Sequence, residues 1–259
     1  MPKITSILKA NTDIFFFYLF IISIPFQKRH IFNIEAATWG ENFFEWGSFA
    51  LYLSDILLGL TIIFWLLKTA AFKLEEKGNK KSPIPRQKIR MKGLFGLLLA
   101  FVLVALLSTI RSDIFSVSLY RFIKICEGGL LFIYIIKNIS TISVFIKSIA
   151  LLVATSLFQA IIGIIQYFLQ RSIGLKTLGE VDLSPTLQNV AKIDVFGEKL
   201  IRAYGIMPHA NLLGGLLFIS LIISLFIVLI IISNQNVPRG TFLTEKVSKM
   251  FHVEHSDNQ

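Results

Sequence analysis

The chain has 259 residues and a formal charge of +10, with 54% hydrophobic residues, 24 phenylalanines, 16% charged residues and a mean hydropathy of +0.69. A soluble domain carries roughly 25% charge, so this composition excludes an ordinary soluble enzyme, a disordered chain and a collagen-like chain. The single cysteine, Cys126, excludes a disulfide framework and a multi-cysteine zinc site.

Six apolar runs follow in chain order, at 14–26, 48–67, 93–110, 116–136, 143–169 and 211–233. Crossing a bilayer takes about 20 residues, within a range of roughly 17–25, and the last five runs are long enough. The first is short, and Ile4–Leu8 or the segment after Pro25 extends it. Lys3 and Lys9 resemble the start of a signal peptide, but Gln27-Lys28-Arg29-His30 offers no small-residue cleavage site. The run therefore reads as a retained anchor. Because the runs are continuous and do not alternate, they predict helices and not barrel strands. The expected fold is all-α: a polytopic membrane helix bundle over 1–233 with about six transmembrane helices, followed by a polar cytoplasmic tail over 234–259.

Charge sets the expected orientation. Between Lys68 and Lys92 stand nine Lys or Arg against Glu75 and Glu76, which is +7 of the +10. A basic block between two apolar runs reads as a cytoplasmic loop, not as a nucleic-acid patch. Alternation then puts both termini inside, and Lys28–Gly47, Arg111–Phe115 and the long segment 170–208 outside. Fifteen basic residues fall inside and eight outside, which agrees with this orientation.

Within 170–208, Lys192–Phe196 and Lys199–Tyr204 flank Gly197-Glu198. Glycine at the first central position suits a two-residue type II′ turn, so a short hairpin is predicted there. A lone hairpin is marginal and needs the helices to pack on. The sequence shows no internal repeat, so the inverted halves of many transporters are not expected.

Charged residues inside spans point to chemistry. Arg121, Lys124 and Glu127 lie at i, i+3 and i+6, on one helical face. A charge within a span costs roughly 2.5–3.5 kcal/mol on insertion scales, so this face reads either as an anion-binding surface or as a Lys124–Glu127 pair with cations reaching the headgroups. The densest cluster is Arg202-Ala-Tyr-Gly-Ile-Met-Pro-His-Ala-Asn211, which ends the long segment and opens the sixth run. Pro208 and Asn211 suit a helix start and Gly205 a turn. Arg202 and His209 beside a helix N-terminus, with its free N–H groups and partial positive charge, also suit a phosphate. Asp55, Gln159 and Gln166 are the other polar residues within spans. The two glutamines, seven apart on one face, suit interhelical hydrogen bonds. His252 and His255 lie in the polar tail without a helical pattern and do not read as a metal pair. No phosphate-binding loop, dinucleotide fingerprint, zinc-protease motif or nucleophile elbow occurs.

On four stretches the chain resembles the amino-terminal part of bacterial O-antigen ligase and O-antigen polymerase-type membrane proteins. These are Ile24-Pro25-Phe26-Gln27-Lys28-Arg29, Tyr52-Leu53-Ser54-Asp55-Ile56-Leu57-Leu58, Gly163-Ile164-Ile165-Gln166-Tyr167, and above all Arg202–Asn211. The last is similar to the family's Arg-x-x-Gly-x-x-x-His-Pro-Asn stretch, with Ala210 in place of the proline. The resemblance covers most of 15–232. It implies a glycosyltransferase of cell-surface polysaccharide or lipopolysaccharide assembly in the bacterial inner membrane. Such a protein moves a glycan from a polyprenyl diphosphate carrier to a lipid or glycan acceptor without metal or cofactor. The expected substrate-binding residues, from the charged face of the fourth run together with this stretch, are Arg121, Lys124, Arg202, His209 and Asn211: cations that neutralise the diphosphate, with His209 hydrogen-bonded to phosphate. Family members continue into further helices and a larger outer loop with an essential histidine. The expectation is therefore a truncated form whose catalytic base is not assigned. The competing expectation is a non-enzymatic transporter subunit or lipid-carrier-binding protein.

Overall fold

The computed structural model describes residues 11–26, 28–32, 38–39, 42–43, 47–78, 92–139, 141–188 and 190–235. The basic stretch 79–91, the first ten residues and the tail beyond 235, with His252 and His255, lie outside the described residues.

Six α-helices make up the described part. The first, α1 (Thr12–Ser23), ends at Ile24-Pro25, where proline offers no N–H to continue the ladder and Phe26 N–H closes a turn on Ser23 carbonyl at 2.9 Å. Strand β1 (Arg29–Ile31) then pairs antiparallel with β4 (Ala50–Tyr52), with Arg29 opposite Tyr52. Between them β2 (Thr38–Trp39) pairs with β3 (Asn42–Phe43). Helix α2 (Leu53–Gly78) starts directly on β4. Asp55, in its first turn, accepts the Tyr52 N–H at 2.8 Å, which places a carboxylate on free donors at the positive end of the helix. The remaining helices are α3 (Lys92–Ile110), α4 (Phe115–Asn138), α5 (Ile142–Leu169) and α6 (Ala210–Gln235). Between α5 and α6 lie a single 3-10 turn at Lys176–Leu178 and the hairpin β5 (Lys192–Val195) and β6 (Glu198–Ile201).

The expected all-α membrane bundle is the observed architecture. Stretches Leu53–Phe72, Gly93–Ile110, Ile142–Leu169 and Ala210–Ser233 are long and apolar enough to cross a bilayer. Helix α1 is apolar but has only 12 residues. Helix α4 has the length, and Arg121, Lys124 and Glu127 lower its apolarity. Two boundaries differ from the sequence reading. The run 48–67 starts as strand, because Ala50–Tyr52 finds a pairing partner in Arg29–Ile31, and its helix continues to Gly78 through Lys73, Glu75, Glu76 and Lys77. Straight-chain charged residues are good helix formers, so the helix does not stop where hydrophobicity does.

Helix α1 packs on α2 and α5, α2 on α4, α3 on α4, and α5 on α6. Phe17, Ile21, Leu58, Ile62, Trp65 and Tyr134 form the main core where α1, α2 and α4 meet. Most of α3 and α6 faces outward with large apolar side chains, as suits helices whose solvent is lipid.

Contacts define the two ends of the bundle. At one end Gln159 Nε2 donates to Pro25 carbonyl at 3.4 Å, and the Tyr120 hydroxyl donates to Ala50 carbonyl at 2.6 Å. Among the described residues, Pro25, Ala50 and the starts of α2 and α4 therefore lie toward the end of the bundle that carries the 202–209 loop. At the other end Lys68 pairs with Asp13 at 2.9 Å, and the Lys137 ammonium lies 5.7 Å from the Trp65 ring centre.

Candidate functional site

The stretch Arg202–Asn211 is a built element. Tyr204, Ile206, Met207 and Ala210 are buried, and Gly205 sits at φ +61° in a turn closed by Met207 N–H on Tyr204 carbonyl at 3.1 Å. One face of α5 holds this turn from below. Gln166 is buried and makes four bonds: its Oε1 accepts Gly205 N–H at 2.8 Å and Tyr204 N–H at 3.2 Å, and its Nε2 donates to Gly205 carbonyl and to Glu180 Oε1, both at 2.8 Å. That satisfies every hydrogen-bonding site of the amide. One turn pair earlier Gln159 Oε1 accepts Ile206 N–H at 2.7 Å, and one turn later Gln170 Oε1 accepts Ile201 N–H at 2.7 Å.

Gly205 has a second reason to be glycine beyond its positive φ: a Cβ there would collide with Gln159 Oε1. Gly163 plays a similar part, since a Cβ on it would meet Leu213 at 3.1 Å and Ala203 at 3.2 Å. The sequence reading had the two glutamines bonding to another helix. They bond instead to the backbone of the loop that opens α6, and in the case of Gln159 also to Pro25.

Glu180 ties the segment after α5 to Gln166. Its carboxylate is buried and accepts the N–H groups of Ile173 at 2.7 Å, Gly174 at 2.8 Å and Leu175, besides the Gln166 amide. Burial pushes the Glu180 carboxyl up, and these four donors outweigh it, so the group titrates below the usual carboxylate range. No local pattern around Glu180 announces this role, because its partners come from the preceding loop and from α5.

The positions of the five expected site residues can now be given. His209 caps α6: its carbonyl accepts the N–H groups of Leu212 at 3.0 Å and Leu213 at 3.4 Å. Its side chain and that of Asn211 are exposed, and Arg202 is half-buried with its N–H on Ala191 carbonyl at 3.0 Å. His209 and Asn211 therefore stand at the start of α6, and Arg202 directly follows β6 on the way to it. Arg121 and Lys124 sit on α4 at the same end of the bundle, Arg121 exposed and Lys124 half-buried.

Lys124 is engaged by carboxylates. It forms ion pairs with Asp55 of α2 and, at 3.1 Å, with Glu127. Its ammonium also lies 5.6 Å from the Tyr120 ring centre and 6.0 Å from that of Tyr52. Arg29 donates to the Tyr52 hydroxyl at 3.1 Å. Of the two readings of this helical face, the Lys124–Glu127 pair is present, and Asp55 completes it. Spacing along α4 made the Glu127 pair legible. The Asp55 pair joins residues 69 apart in sequence and had no local signal.

The start of α6 thus carries the exposed His209 and Asn211, and the turn before it is bonded by the buried amides of Gln159 and Gln166. Compared with protein-family models, characterised proteins and solved structures, the chain matches none.

Proposed function

We propose that this membrane protein binds a polyprenyl-diphosphate-linked glycan at the loop-bearing end of its bundle, and serves its transfer to a lipid or glycan acceptor in bacterial cell-surface polysaccharide assembly. The observation that carries the reading is the Arg202–Asn211 loop. Gln159 and Gln166 of α5 bond its turn and Gln170, directly after α5, bonds its approach from β6, and the stretch carries a half-buried arginine and, seven residues on, an exposed histidine at the start of a long apolar helix. A diphosphate leaving group needs fixed positive charge, and a preorganised donor in such a site contributes about 3–4 kcal/mol. The resemblance of the same stretch to the O-antigen ligase and polymerase class supports the choice of ligand. Arg121 adds charge at that end, while Lys124 shares its charge with Asp55 and Glu127.

The test is polyprenyl diphosphate binding by the Arg202→Ala protein. A surface arginine changes binding by less than about 1 kcal/mol, and a desolvated phosphate contact costs about 2–5 kcal/mol. Unchanged binding by a correctly inserted Arg202→Ala protein refutes the reading. The same proposal sets the loop-bearing end on the outer side of the inner membrane, with both termini in the cytoplasm. A cysteine at Lys176 in a cysteine-free background is then labelled by an impermeant reagent from outside, and labelling only from the cytoplasmic side reverses the orientation.

A further inference from the structure

We propose that the β5–β6 hairpin is a bilayer-surface anchor, laying Phe196 and the apolar face of Ile193, Val195 and Leu200 into the interfacial zone of the leaflet at its end of the bundle. Four observations carry it. First, the loop residues Phe196 and Gly197 have φ of +54° and +87°, and a two-residue loop with both φ positive strongly favours Asn, Asp or Gly at its first position. A phenylalanine there is strained, and its ring is fully exposed, so no packing within the chain offsets the strain.

Second, the hairpin has two faces. The register pairs Asp194 with Lys199 and Lys192 with Ile201 on one side, and Ile193 with Leu200 and Val195 with Glu198 on the other. Period-2 alternation therefore separates Lys192, Asp194 and Lys199, with Ile201 buried at the base, from Ile193, Val195 and Leu200, with Glu198 exposed at the rim beside the turn. Ile193 is exposed and Val195 and Leu200 are half-buried.

Third, the hairpin base is fixed at the end of a span. Gln170, directly after α5, holds Ile201 N–H at 2.7 Å, and the last residues of that helix, Tyr167, Phe168 and Leu169, are exposed. Aromatic residues at the end of an apolar helix mark the headgroup level. Fourth, a strand of four residues reaches about 13 Å, so a hairpin whose base is at that level and which lies along the surface keeps its tip in the interface. An amphipathic element there buries its apolar side among acyl chains and keeps its lysines at the phosphates.

Site-directed spin labelling tests this in the full chain, reconstituted in vesicles of phosphatidylethanolamine and phosphatidylglycerol. Cys126→Ala gives a cysteine-free background, into which Phe196→Cys, Ile193→Cys or Asp194→Cys is placed. The expected result is that oxygen relaxes the labels at 193 and 196 more than a water-soluble nickel complex does, with the order reversed at 194. Nickel access at 193 and 196 equal to that at 194 overturns the proposal. Shielding of 193 and 196 from both relaxants also overturns it, by showing a protein partner on that face. If Phe196→Cys does not insert, the contrast between 193 and 194 decides alone.

Discussion

Replacing Gln166 with leucine removes the most connected side chain of the candidate site while keeping its volume close. The amide is buried and makes four hydrogen bonds. Its loss leaves Tyr204 N–H, Gly205 N–H and Gly205 carbonyl without their side-chain partner, whereas Glu180 keeps three backbone donors. Each buried unsatisfied polar group costs about 1–3 kcal/mol. Three of them set an upper bound near 9 kcal/mol, and relaxation toward water at the loop surface lowers the expected cost to about 3–5 kcal/mol. Gln159→Leu is the internal comparison. It orphans one short bond, to Ile206 N–H, and one long bond at 3.4 Å to Pro25 carbonyl, for an expected cost of about 1–2 kcal/mol. Because both glutamines hold one turn, the double variant loses less than the sum of the singles. The assay is reversible unfolding in mixed micelles titrated with denaturing detergent, followed by tyrosine near-UV dichroism. A Gln166→Leu cost below about 1 kcal/mol, or one no larger than that of Gln159→Leu, refutes the role assigned to this network.

Two further outcomes follow from the same geometry. The Glu180 carboxyl titrates below its unfolded value, so its contribution to the loop is complete above about pH 4.3 and is lost as pH falls through the lower folded value; hydrogen exchange of Ile173–Leu175 measured against pH checks this, with Glu180→Gln expected to flatten the dependence and an unchanged profile in that variant refuting it. Among the described residues the buried Tyr134 hydroxyl meets no hydrogen-bond partner, so Tyr134→Phe leaves stability unchanged or raises it by up to about 1 kcal/mol, and a loss of more than about 1 kcal/mol in the same detergent titration refutes the unpaired assignment.

The bundle was legible in the sequence because the bilayer imposes a length and a composition on whatever crosses it. Continuous apolar runs at 93–110, 143–169 and 211–233 coincide closely with α3, α5 and α6. The spacing of Arg121, Lys124 and Glu127 on α4 and of Gln159 and Gln166 on α5 was equally visible, since a helix repeats every 3.6 residues wherever it sits. A hairpin around Gly197 was visible as well. Its turn falls one residue earlier than expected, at Phe196-Gly197 and not Gly197-Glu198, and with both φ positive it is type I′ and not II′. Local preference puts glycine first in the loop and an aromatic residue outside it, and the strand register overrode that preference.

What only the tertiary structure decided is who meets whom across the chain. The pairing of Arg29–Ile31 with Ala50–Tyr52 joins short segments that carry no strand signal of their own. Lys124 finds Asp55 because α2 and α4 start from the same end of the bundle. Gln166 joins Gly205, 39 residues on, to Glu180, 14 residues on, through one buried amide. Periodicity reports which side of an element a residue occupies. The partner on that side depends on how elements far apart in sequence pack together, and no local pattern encodes that.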